Sequence, residues 1–90
     1  MSELGSLSGN PKTYDIGGLK LNFRPRTLAD VDLIFDLSDE TKKGKAMKEL
    51  IARTLKDAVP DASEQEINNV AFRYFKELSE AIADVNGLKQ

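Results

Sequence analysis

Asp30, Asp32 and Asp36 cluster in one short stretch, with Asp32 and Asp36 spaced one helical turn apart. Two carboxylates at i, i+4 offer oxygen to a hard cation such as Mg²⁺, but such ions want more ligands than one helix face supplies. A solvated helix face is the better reading of the trio; contact with a basic partner, or with Arg24 and Arg26 just upstream, is the alternative. Lys42, Lys43, Lys45 and Lys48 precede or open a second helical pattern, and phosphate contact is the chemistry they offer. Positive charge at a helix start opposes the macrodipole. No aromatic residues interleave with these lysines as on single-strand-binding surfaces, so an exposed, solubilising helix start is the better reading and nucleic acid is disfavoured. Tyr14 and Tyr74 bring phenols without a partner base or a phosphate loop. Gly17-Gly18 lacks the third glycine and the following helix of a nucleotide-binding fingerprint.

With no Cys and no His among its 90 residues, the chain has no disulfide, thiolate nucleophile, zinc finger, Ser-His-Asp triad or imidazole acid–base chemistry. We therefore expect no enzyme, with no catalytic residue, metal or cofactor, and look instead for binding. The net charge of −2 lacks the basic excess of a dedicated nucleic-acid binder. Charge is uneven along the chain: residues 39–60 are net +2 and residues 61–90 net −3. That asymmetry favours attraction between the two segments or between two copies, at salt-sensitive strength. No run approaches the ~20 apolar residues of a membrane span. Met1 to Asn10 has neither the basic nor the apolar region of a secretory signal, which points to a cytoplasmic address.

The elements follow from local signals. Lys12–Ile16 and Leu19–Phe23 flank Gly17-Gly18, a pair suited to a two-residue primed turn. That register sets Ile16 opposite Leu19, Tyr14 opposite Leu21 and Lys12 opposite Phe23, with the apolar residues on one face. Asp15 meets Lys20 and Thr13 meets Asn22 on the other. Pro25 ends the second strand. Thr27 reads as an N-cap with Asp30 as the partner of a variant capping box, opening a first helix over Leu28–Leu37. Leu28, Val31, Ile34 and Phe35 lie on one side of it and Leu33 and Leu37 on another, the pattern of a helix sandwiched between neighbours. Asp39 is placed to cap a second helix from about Lys45 to Ala58, whose stripe is Met47, Leu50, Ile51, Thr54, Leu55 and Ala58. Ser63 and Glu66 form a capping box, and Ile67, Val70, Ala71, Tyr74, Leu78, Ala81, Ile82 and Val85 continue one stripe of a long third helix. Asn86-Gly87 stops it.

The fold class expected is thus mainly α with a small β-hairpin: a flexible tail over residues 1–11, one hairpin-plus-three-helix domain over 12–88, and a short tail at 89–90. Two strands alone are marginal in water, so the hairpin must cover helices of its own chain or join a neighbouring subunit. On the third helix, Phe72 falls about 140° from Ile67 and Phe75 about 80°. With Ile82 and Ala83 they make a second apolar flank, covered by the hairpin or first helix, or open to a partner. The candidate partner-binding residues are Phe72, Phe75, Ile82 and Ala83, with Leu33 and Leu37 from the first helix.

The run Tyr14–Leu37, YDIGGLKLNFRPRTLADVDLIFDL, resembles the opening of phage tail assembly chaperones, and Ser63–Leu88, SEQEINNVAFRYFKELSEAIADVNGL, resembles their last helix. The resemblance implies a small, mostly helical, non-enzymatic protein of a phage or prophage. It would act in the host cytoplasm and be absent from the mature virion. Its implied partners are the tape measure protein, whose apolar helical segments it would shield, and the tail tube protein, with self-association of the chaperone; many such proteins also exist in a longer, frameshifted form. A small nucleic-acid-binding regulator and a connector or tail subunit of the virion are the alternatives.

Overall fold

The computed structural model of the chain describes residues 3–88. Strands β1 (Lys12–Ile16) and β2 (Leu19–Phe23) pair antiparallel. Helices α1 (Val31–Asp36), α2 (Lys43–Ala58), α3 (Glu64–Asn68) and α4 (Phe75–Val85) follow, giving an α+β domain of the expected class.

The hairpin has the register that alternation dictates, from Lys12 opposite Phe23 to Ile16 opposite Leu19. Gly17 and Gly18 take φ of 60° and 85°, the left-handed values a type I′ turn requires. The apolar face closes on the chain's own helices. Leu21 and Phe23 join Leu50, Ile51 and Leu55 of α2 and Leu78, Ala81 and Ile82 of α4 in one core, with Tyr14 and Ile16 packed at its edge. Helix α2 buries Leu50, Ile51, Thr54 and Leu55 of its predicted stripe, together with Ala46, while Met47 and Ala58 are partly buried at the core's edge. Thr54 tolerates full burial because its hydroxyl donates to the Leu50 carbonyl at 2.7 Å.

The first helix departs from expectation. Thr27 Oγ1 accepts from the Ala29 N–H at 3.3 Å, but Asp30 makes no reciprocal bond. It turns inward, 6% exposed, so Leu28–Asp30 winds as a 3₁₀ turn and α1 proper begins at Val31. Asp39 forms an Asx turn, accepting from the Thr41 N–H at 2.8 Å and the Thr41 hydroxyl at 2.7 Å. The hydroxyl bond, ahead of the backbone one, holds the Asp39 carboxyl below its ordinary pKa. Helix α2 starts two residues earlier than the pattern suggests. Glu3–Leu7, expected as part of a flexible tail, winds into a 3₁₀ turn that buries nothing. Residues 8–11 are exposed and outside helix and strand, and tail positions 1–2 and 89–90 lie outside the described residues.

The third helix is broken. Its capping box forms as expected: Ser63 N–H donates to Glu66 Oε1 at 2.9 Å and Glu66 N–H to Ser63 Oγ at 3.0 Å. Yet α3 stops at Asn68, and Ala71 is extended with φ −63° and ψ 139°. A 3₁₀ turn over Phe72–Tyr74 then leads into α4. Asn68, Asn69 and Val70 are poor helix formers, and asparagine favours bonds outside a helix. The break also frees α4 to aim Leu78, Ala81 and Ile82 at the core independently of α3. At the far end, Leu88 N–H reaches the Ala83 carbonyl at 2.8 Å and Gly87 N–H the Asp84 carbonyl at 3.2 Å. Gly87 supplies the positive φ, 68°, completing a Schellman cap.

Candidate functional site

The break in the third helix leaves apolar side chains outside the core. Phe72 is 85% exposed and Phe75 37%, and their rings stack with centroids 5.7 Å apart and an interplanar angle of 17°. Beside them runs a groove of about 390 Å³ walled by Ile51, Ala52 and Leu55 of α2 and Ile67 of α3. Val70, 41% exposed, stands as a ridge at its margin. On the other side of Val70 a second groove of about 400 Å³ runs toward Ile16, Leu19 and Tyr74. The two differ in sign. Among the described residues the charged side chain on the Phe72 groove is Lys48, whereas Asp61 and Glu66 line the second. Contiguous apolar surfaces of this kind on small domains commonly serve as contact sites.

The structure brings only part of the predicted surface together. Phe72 and Phe75 share it. Ile82 does not: it is 1% exposed and belongs to the core. Of the two places the spacing allows it, the core stripe and the second flank, Ile82 takes the first, beside Leu78 and Ala81. Ala83 is partly buried and absent from the groove wall, and its carbonyl closes the α4 cap. Leu33 and Leu37 are partly buried against the core from α1, and Leu33 lines a recess with Ala46 and Glu49. They therefore sit on the other side of the buried stripe of α2 from Phe72. The 3₁₀ turn and α1 are covered on one side only, leaving Leu28 86% and Phe35 71% exposed, so the expected sandwich is not formed.

Two of the charged candidates, Asp30 and Lys43, find ion-pair partners. Asp30 bonds Arg53 Nη1, and its second oxygen lies 3.6 Å from Arg26 Nη1. Arg26 also bonds Asp57, and Arg53 Nε donates to Glu49 Oε1 at 3.0 Å. The Glu49 carboxylate first, and Asp30 next, push the Arg53 pKa further up. Of the readings open for the aspartates, ion pairing holds for Asp30, through Arg26 and the sequence-distant Arg53. Among the described residues no group of carboxylates is arranged to hold a metal ion. In the lysine cluster, Lys43 pairs with Glu40 at 3.0 Å, and the lysines stand exposed around the start of α2.

Tyr14 is a brace. Its hydroxyl donates to Asp84 Oδ2 at 2.5 Å, and Lys12 Nζ donates to the same oxygen at 2.7 Å. Burial first, and the Asp84 carboxylate second, push its pKa up to about 12, so the phenol stays protonated. Sequence reasoning missed two further ties, Arg53 to Asp30 and the Arg26 N–H to Asn86 Oδ1 at 2.6 Å. Both partners are too far apart in sequence to leave a local signal.

The chain matches no family model, no curated protein and no solved structure.

Proposed function

We propose that this protein is a non-enzymatic assembly chaperone that shields apolar helical segments of a longer polypeptide, with the Phe72–Phe75 face as its docking surface. The observation that carries this reading is the stacked aromatic pair beside an open apolar groove, in a domain whose core is otherwise complete. A helix presenting apolar residues at i, i+3, i+4 and i+7 fits such a groove, with its polar face left to water. One groove per small domain gives modest affinity, and many copies along one long client convert that into secure coverage.

The resemblance of Tyr14–Leu37 and Ser63–Leu88 to tail assembly chaperones supplies the client. In that reading it is the tape measure protein of a tailed phage or prophage, coated in the host cytoplasm while tail tube subunits assemble around it. The role ends before the virion is complete.

The test is co-expression with the tape measure protein encoded near this gene, scored as the soluble fraction of that client. The wild-type chain should raise that fraction severalfold. Phe72→Asp, which alters an exposed ring, should lose the gain while keeping the melting temperature. Equal solubilisation by Phe72→Asp, or a gene neighbourhood without a tape measure protein, overturns the proposal. Recovery of the chain from purified particles would assign it instead to the virion.

A further inference from the structure

We propose that the free edge of β2 binds an extended segment of another polypeptide by strand addition, over the second groove, between the hairpin and α3. The partner segment carries apolar side chains at alternate positions and a lysine or arginine at its ends. This site is separate from the Phe72 face and does not rest on the chaperone reading.

Among the described residues the sheet has two strands, so each strand keeps one open edge. With two glycines at the tip, Ile16 and Leu19 close the turn as a hydrogen-bonded pair, and Tyr14–Leu21 and Lys12–Phe23 repeat that pairing. The backbone N–H and C=O groups of Lys20 and Asn22 on β2, and of Thr13 and Asp15 on β1, therefore point outward. Among the described residues these groups make no hydrogen bond outside the hairpin. Outward groups of this kind are a template for a further strand.

The surroundings choose between the edges. Beside β1 lies a recess lined by Glu77, Glu80 and Asp84 of α4, where an apolar side chain gains little. Beside β2, Leu19 and Leu21 wall the second groove together with Val59, Ala62 and Ile67. Leu19 is 61% exposed, an apolar residue on the core face of the sheet that the chain's own helices leave uncovered. Residues opposite one another in a sheet share a face. An added strand therefore projects the residues across from Leu19 and Leu21 into the groove, and leaves those between them in water beside Lys20. A helix laid in this groove would bury apolar area and leave the β2 edge unpaired. A strand satisfies both, with main-chain bonds for affinity and alternate side chains for specificity.

Charge sets the flanks of the partner. Asp61 and Glu66 line the groove, and Asp61 has no ion-pair partner among the described residues. A cationic end on the incoming segment meets these carboxylates. Lys20, a charge on the edge strand itself, discourages indiscriminate pairing.

The test is an NMR titration of the labelled protein with the capped peptide Lys-Val-Thr-Val-Thr-Lys. The Lys20 and Asn22 amides should shift most and exchange more slowly with solvent, and binding should weaken as salt rises. The peptide Lys-Val-Val-Thr-Thr-Lys, with the same composition but no alternation, should bind at least severalfold less. Asp61→Lys should weaken binding at least severalfold, and a peptide with glutamate at both ends should recover it. Lys20→Pro removes one outward N–H at a position where an edge strand tolerates proline, and should abolish binding with the fold retained. If that variant does not fold, Asp61→Lys and the peptide pair decide. Equal binding of the two peptides overturns the proposal, as do shifts centred on Phe72, which would place the peptide in the other groove. Shifts of the Lys20 and Asn22 amides on raising the protein concentration alone would give the edge to a second copy, and also overturn it. Phe72→Asp should bind the peptide as wild type does, so strand binding and client solubilisation are read separately.

Discussion

The Tyr74 ring lies across the tip of the hairpin, so close to Gly17 that a Cβ built there would fall 2.7 Å from Tyr74 Cε1. The approach pins the β-turn to the segment between α3 and α4 and helps wall the second groove. Gly18, next along the turn, faces open space.

Substitutions at the two glycines should therefore separate strain from contact. Gly18→Ala carries the left-handed backbone penalty alone, about 1–2 kcal/mol. Gly17→Ala carries a similar penalty plus the displacement of Tyr74, and should cost about 1–3 kcal/mol more. Chemical denaturation of the two variants checks this. Equal losses would show that Tyr74 moves aside freely.

The hairpin was legible because its signals are local: a Gly-Gly pair and period-two alternation on both sides give one register, and the chain adopts it. The Ser63–Glu66 box and the Asn86-Gly87 stop were legible for the same reason. The break between α3 and α4 was hidden because Ile67, Val70, Ala71 and Tyr74 keep helical spacing across it. Only the demands of the hairpin and α2 on Leu78 and Ile82 show that two helices serve better than one. Burial of Asp30 depends on Arg53, 23 residues further on, which no window of local sequence contains. Of the partner surface, Phe72 stood out on a helical wheel, but its groove wall at Ile51 and Ala52 comes from another helix.

Tyr14 should make the fold sensitive to alkali. Its folded pKa of about 12 lies above the ordinary 10.0, so the unfolded chain loses this proton first as pH rises. The stability it contributes is whole below pH 10 and is lost between pH 10 and about 12. At 1.36 kcal/mol per unit the ceiling is roughly 2–3 kcal/mol, less for the solvent that reaches this site. Tyr14→Phe should cost about 1 kcal/mol at neutral pH through the lost hydrogen bond. It should also flatten the decline in melting temperature over that window. An equally steep decline in the Phe variant would show that Tyr14 is not its source.

Asp30 should be among the least replaceable polar residues of the chain. It is buried beside Arg26, whose side chain is only 8% exposed, and removing the carboxylate leaves that guanidinium short of compensation. Asp30→Ala should cost about 3 kcal/mol, the lower end for a broken buried pair, because Asp57 still holds Arg26. Arg53 is 46% exposed, where water screens its ion pairs, so Arg53→Ala should cost less than Asp30→Ala. Urea denaturation of the two single variants ranks them. A larger loss for Arg53→Ala would place the weight of the network on α2 instead.

Three apolar residues after the helix break should grade from surface to core. Phe72 at 85% exposure, Phe75 at 37% and Ile82 at 1% predict alanine costs that rise in that order. For Phe72→Ala the loss should be within about 0.5 kcal/mol, as for other surface positions. For Ile82→Ala it should be about 2–5 kcal/mol from transfer and cavity terms, with Phe75→Ala between them. The order for docking should run the other way once stability is accounted for. Phe72→Ala should weaken capture of an apolar helix most per unit of stability lost, and Phe75→Ala should weaken both. Thermal melts paired with binding assays on the same preparations give both orders. A Phe72→Ala variant that melts as early as Ile82→Ala would make Phe72 part of the core and remove the basis for a docking face there.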